Sequence, residues 1–306
     1  MRKDPWTPIA CVAALLVSAG AAALAPEARW EPRAASPPAR PERIVSLALP
    51  ADEIVLALAD PSRVLALEQF ADDPTASNVV REARAVRGRV RQPVAAEAIL
   101  ALEPDLVIVP AWMDPQIAAL VEHQGIAVHR LRSPSSLAEV RLQIRELGAV
   151  IGEPEGAERL VAAMDARLEA VRARARPRSE AVLLAAWSGF TPARGTIFCE
   201  LVELTGARCA AAEAGLTGYA PLSIEQLLAL DPDVIVENRY RADAAAREVV
   251  AAPSFASDPR HRTLRAVRSG RVIDPPTAHL LATTHHVAAL AEDLERALGP
   301  ARSERR

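Results

Sequence analysis

The segment PVAAEAILALEPDLVIV, residues 93–109, returns as PLSIEQLLALDPDVIVE at 221–237. Aligned without a gap, Pro93, Glu97, Leu100, Ala101, Leu102, Pro104 and Asp105 match Pro221, Glu225, Leu228, Ala229, Leu230, Pro232 and Asp233. Each copy reads as a short helix, a Pro-Asp turn and a buried strand. Shared physics accounts for that much. It does not require a Pro and a Glu ahead of the helix, so the chain is read as two related halves.

Outward from the first copy, strands are expected at 44–47, 64–67, 106–109 and 127–131, with helices starting at Asp52 and covering 115–124. Around the second copy, strands are expected at 181–187, 234–237 and 271–273, with a closing helix over 284–298. Such alternation signals parallel α/β structure. Between the blocks lie two helical stretches, 136–151 and 155–176, stopped by Pro177. In the second, Leu160, Val161, Met164, Leu168 and Val171 form one apolar stripe. At 1.5 Å per residue that helix is about 30 Å long. The expected fold is α/β, with two pseudo-symmetric parallel-sheet lobes (43–134 and 178–300) joined by one long rigid α-helix within the linking helices of 135–177.

At the N-terminus, Arg2 and Lys3 precede an uncharged apolar stretch ending in Ala23-Leu24-Ala25, which reads as a signal peptide over 1–25. Pro26 is awkward for cleavage there, so a retained anchor stays open as the alternative. Cys11 sits at the start of the apolar run, the wrong end for lipid attachment. Five prolines between Pro26 and Pro41 make 26–42 a linker. The 306-residue chain carries a formal charge of −3 with scattered arginines, which excludes nucleic acid as a partner. Export leaves Cys199 and Cys209, and an oxidising compartment permits a bridge. Cys199 falls inside an expected helix and Cys209 beyond Gly206, so a disulfide and two buried thiols both remain open.

In parallel sheets, ligands bind beyond the carboxyl ends of the strands. Aromatic residues are only 3% of the chain, which makes their placement informative. Phe70, Trp112, Trp187, Phe190 and Tyr240 all fall at strand ends, as rings suited to a bulky ligand. Trp112 and Trp187 are expected to face each other across a cleft. Glu68, Glu237, Arg239 and Arg241 occupy similar positions, while Tyr219 reads as a turn residue. Of the histidines, His279 is placed in a loop at the cleft mouth, able to touch a ligand. His285 and His286 are expected to start the last helix, pointing about 100° apart and unable to share an ion. No Gly-rich phosphate loop, GxSxG elbow or HExxH pattern is present. The chain is therefore read as a non-enzyme with no catalytic residues, no cofactor and no metal ligands of its own.

RIVSLALPADEIVLAL (43–58), ILALEPDLVIV (99–109), the long helix, GTIFCELVELTGARC (195–209), YAPLSIEQLLALDPDVIV (219–236) and LRAVRSGRVIDPP (264–276) occur in an order that resembles a known family. This is the periplasmic binding proteins with a helical backbone, which receive siderophores, haem and cobalamin. The resemblance implies a monomeric, periplasmic substrate-binding component of an ABC importer, which holds a metal chelate in its cleft and passes it to the membrane permease subunits. It also implies one docking glutamate per lobe, and Glu97 and Glu225 match by motif position. Independently, each glutamate would favour the positive end of its helix by about 0.3 to 1 kcal/mol. An iron-siderophore or cobalamin-type cargo is expected ahead of haem, because no tyrosine stands at the first-lobe strand ends. A haem or metal-ion receptor of the same architecture, or a membrane-tethered sensor, are the alternatives.

Overall fold

The computed structural model describes residues 36–186, 189–243 and 248–299, without side chains for 186 and 240–251. The expected signal peptide and most of the linker lie outside the described residues. The strands among the described residues are β1 (Ile44–Ser46), β2 (Val64–Glu68), β3 (Gly88–Val90), β4 (Leu106–Pro110), β5 (Ala127–Leu131), β6 (Ala181–Ala186), β7 (Phe190–Pro192), β8 (Arg208–Cys209), β9 (Tyr219–Pro221), β10 (Val234–Asn238), β11 (Tyr240–Asp243), β12 (Glu248–Ala251) and β13 (Val272–Ile273). The helices are α1 (Leu49–Leu58), α2 (Val80–Ala83), α3 (Ala96–Leu100), α4 (Pro115–His123), α5 (Leu137–Val150), α6 (Pro154–Arg174), α7 (Ile197–Leu204), α8 (Ala210–Glu213), α9 (Ile224–Leu230), α10 (Arg265–Arg268), α11 (Thr277–Leu280) and α12 (Val287–Leu298).

One parallel sheet has the order β3-β2-β1-β4-β5 and the other β13-β10-β6-β8. The first strand of each half, β1 or β6, thus lies inside its sheet, and the repeated segment supplies the strand beside it, β4 or β10. The equivalence extends to the turns. Asp105 accepts hydrogen bonds from the amides of Glu42 and Arg43 at the entry to β1, and Asp233 accepts one from Ala181 at the entry to β6. The residue two before each aspartate, Glu103 or Asp231, has left-handed backbone at φ 49° and 37°. An arginine, Arg43 or Arg265, donates to the carbonyl of that same residue.

Strand residues alternate between two cores, as the pleat requires. Ile44, Leu106 and Ile108, with Val182, Leu184, Val234 and Val236, face a continuous apolar layer built with α1, α5, α6, α7 and α12. Val45, Val107 and Val109 pack on the opposite face with Ile99 of α3 and Val121 of α4. Leu183, Ala185 and Ile235 do the same in the second half, with Leu227 of α9 and Ala266 of α10.

The chain passes from β5 to β6 through two helices packed on each other, α5 and then α6. The longer one, α6, runs 21 residues and buries Ala157, Val161, Met164, Leu168 and Val171. Leu160 of the expected stripe is only partly buried. Three of its charged side chains pair with neighbouring elements: Asp165 with Arg141 at 2.9 Å, Glu158 with Arg145 at 2.7 Å, and Arg167 with Glu292 through two bonds of 2.8 and 2.9 Å. The sulfurs of Cys199 and Cys209 form a disulfide, their Cα atoms 5.3 Å apart. Gly206, at φ 83°, turns the chain back beside α7 and so brings the second cysteine to the first.

Two ribbons were not expected, β7 with β9 and β11 with β12, both antiparallel. The last helix starts at Val287, three residues later than expected, so His285 and His286 precede it. Their rings do not diverge. They lie 4.0 Å apart and tilted by 38°. Burial pushes them down to about 3 and about 4, and holds both neutral at ordinary pH.

Candidate functional site at the strand ends

The strand order reverses between β1 and β4 in one sheet and between β6 and β10 in the other, which is where parallel sheets leave a crevice. In the first half, Trp112 follows β4 and stands 72% exposed. Phe70 is half-buried in the turn after β2. That turn is capped by Glu68, whose carboxylate accepts the Phe70 amide at 2.7 Å. Burial raises the Glu68 carboxyl to about 7. Asp52, fully buried behind it, accepts the Glu68 amide at 3.0 Å and is itself raised well above the carboxylate range by desolvation.

In the second half, a cavity of about 570 Å³ opens at the ends of β6 and β10, between the start of α9 and the segment 252–261. Phe190, Glu237, Arg239, Phe255, Arg260 and His261 help line it. Glu237 accepts the Phe255 amide at 2.6 Å and the Ser254 hydroxyl at 3.1 Å. The Arg239 guanidinium is engaged, donating to the carbonyl of Ala252 at 2.7 Å and to Asp274 at 3.0 Å. Phe190 therefore joins Glu237 and Arg239 at one cavity. Phe70, Trp112 and His279 do not line it. Trp187 lies outside the described residues, as do the side chains of Tyr240 and Arg241.

His279 departs from expectation. It lies on α11, where its Nδ1 sits 2.5 Å from Asp293 of α12, so the ring is engaged inside the protein instead of waiting in a loop. The same segment is tied to the first half, because Asn78 donates to the Ala278 carbonyl and to Glu53, and Thr284 donates to Glu53. Phe255 and His261 were missed by sequence reasoning. Their only local signal was Ser254 and Asp258, each of which caps a short turn.

Glu97 and Glu225 occupy the second position of α3 and α9, and both are exposed. Among the described residues neither is ion-paired. Ser223 and Gln226 close a reciprocal capping box at α9, whereas Ala95 offers no cap to α3.

Among the described residues no group of three His, Cys, Asp or Glu could hold a metal ion, and no helix is long and apolar enough to cross a membrane. Two like-wound α/β halves with aromatic and charged groups at their strand ends are the build of a ligand-binding protein. The chain belongs to the periplasmic binding protein family, whose pattern it matches over residues 44–278. These are binding proteins and not enzymes. A cobalamin-binding protein of Halobacterium salinarum is 29% identical over 250 residues, 78% of this chain; the match spans 64% of that relative's length, a little under two thirds. A vitamin B12-binding protein of Vibrio cholerae is 28% identical over 204 residues, 65% of this chain and 71% of the relative. The solved structure of the periplasmic haem-binding protein RhuT from Roseiflexus sp. RS-1 in apo form superposes with a TM-score of 0.68 at 26% identity, covering 84% of this chain and 99% of that one.

Proposed function

We propose that this protein is the substrate-binding component of an ABC importer, which captures a metal chelate at the strand ends of its two halves and delivers it to a membrane permease. The carrying observation is the equivalence of the halves: β4 beside β1 and β10 beside β6, each preceded by a helix with an exposed glutamate at its second position. A permease surface with two-fold symmetry would be met by the same charge on each half. Glu97 and Glu225 are the docking residues in this reading. The signal peptide over 1–25 exports the chain, and α6 acts as the stiff element between the halves.

The cargo is of the cobalamin or iron-siderophore type. Cobalamin is supported by what the Halobacterium and Vibrio relatives bind. A second reading, haem, is supported by the Roseiflexus neighbour. Trp112, Phe70 and Phe190, with Trp187 and Tyr240, supply the apolar contact. Calorimetric titration of the purified protein with cobalamin, ferric protoporphyrin and a ferric siderophore tests the proposal. Micromolar or tighter binding of one chelate is expected, and binding of none would refute it.

A further inference from the structure

The second-half cavity holds an imidazole that the proposal above does not use. His261 ends a short turn begun by Asp258, whose carboxylate accepts the Arg260 amide at 2.9 Å. Its ring lies flat on Phe255, with centroids 3.6 Å apart and planes 6° from parallel. The stack fixes the plane of the imidazole, and a hydrogen bond fixes its rotation. His261 Nδ1 is 2.9 Å from the Phe255 carbonyl oxygen. A carbonyl can only accept, so Nδ1 donates, and in the neutral ring the lone pair belongs to Nε2. Phe255 is held in turn, its amide donating to Glu237 at the end of β10 at 2.6 Å. A carboxylate thus positions a peptide, and the peptide positions the imidazole.

Nε2 has no hydrogen-bond partner among the described residues. Nor is it sealed into the protein, as His285 Nδ1 and His286 Nε2 are. A histidine whose other nitrogen donates to a carbonyl, and whose ring, largely buried, lines a cavity of about 570 Å³, has the arrangement of a metal ligand. One donor cannot hold a bare ion, and no group of three possible ligands supports it among the described residues. It can, however, fill one axial position on a metal whose remaining positions are taken by a macrocycle.

We infer that His261 Nε2 is an axial ligand to the metal of a bound corrinoid or metalloporphyrin. The assignment rests on the metal-chelate reading and narrows it. A hexadentate ferric siderophore, whose iron is saturated, has no position for this nitrogen. The step is a ligand exchange: the axial water leaves, an Nε2–metal bond forms, and no proton or electron moves. Glu237 and Phe255 are positioning residues.

The test uses the purified protein, aquocobalamin and ferric protoporphyrin, read by absorbance. Wild-type protein should give an imidazole-ligated spectrum with one of the two, which identifies the source of the macrocycle. His261→Gln should give the water-ligated spectrum with roughly tenfold weaker binding. In His261→Ala, free imidazole added at a concentration too low to ligate the free macrocycle should restore both the ligated spectrum and the wild-type affinity, which a purely structural role would not allow. A spectrum unchanged by His261→Gln overturns the assignment and leaves the cargo reading standing. Binding of a hexadentate ferric siderophore in place of both macrocycles does the same. Binding of no chelate overturns both. Nitrogen NMR of the wild-type ring needs no variant: a proton on Nε2 and a bare Nδ1 would overturn the assignment.

Discussion

Trp112→Ala is the substitution that best separates a ligand contact from a core residue. Trp112 is 72% exposed, so of the roughly 250 Å² that a tryptophan can bury, about 180 Å² is free to meet a ligand. A flat chelate would cover one face of the indole, about half of that area. At about 25 cal/mol per Å², the lost burial is about 2 kcal/mol, or roughly thirtyfold in Kd. Folding should hardly notice, because an exposed side chain contributes within about 0.5 kcal/mol. Calorimetric titration gives the first quantity and thermal unfolding of the ligand-free protein gives the second. A variant that binds like wild type refutes the contact. A variant that unfolds several degrees lower while binding normally would mean the indole supports the fold, and the ligand would have to lie elsewhere.

Reversing both docking charges, Glu97→Arg with Glu225→Arg, should abolish uptake while leaving ligand affinity within about twofold, since neither glutamate lines the cavity; normal transport by the double variant would rule the docking role out. Reducing the Cys199–Cys209 bridge, which spans a sequence separation of 10, should lower stability by about 3 kcal/mol on the chain-entropy estimate, measured by denaturant unfolding with and without reductant. Glu68→Gln should stabilise the protein above neutral pH and have little effect near pH 4. The Glu68 carboxyl is raised to about 7 in the fold against an ordinary 4.5, so keeping it charged costs stability that accumulates as pH rises between those values, at most roughly 3 kcal/mol. A variant-minus-wild-type difference that does not grow with pH would contradict this.

Most of the fold was legible because its strands are apolar runs with helical signals between them. What escaped has physical reasons. The strand Gly88–Val90 is three residues long and carries an arginine, too little for a periodicity. The β7 and β9 ribbon contains Pro192 and Pro221, which argue against a strand in sequence and are tolerated only because the ribbon stands at an edge. The cysteine pairing depends on how tightly Gly206 turns, which spacing alone does not give. The site was less legible than the fold. Phe190 and Glu237 could be placed by counting to strand ends. The orientation of His261 depends on Phe255 and, through it, on Glu237, 24 positions back in the chain. His279 was misplaced for a similar reason, since its partner Asp293 lies a helix away.

The repeat itself can now be divided into parts with different causes. Pro-Asp is kept because each aspartate ties the entry of its half's first strand, Arg43 before β1 or Ala181 in β6. The apolar positions are kept because Ile99 and Leu227 fill equivalent cores. Neither cause reaches the glutamates. Helix capping does not serve as a shared cause, because α9 is closed by Ser223 and Gln226 whereas Ala95 and Ala98 hold the same places at α3. Attraction to the helix dipole would be met equally by aspartate, or by an acid elsewhere in the first turn. The two copies changed the neighbours on both sides and still present a glutamate, at the same position, exposed and without an ion-pair partner among the described residues. A demand common to both halves and external to each is what remains, and a permease with matching cations on its two-fold face would supply it.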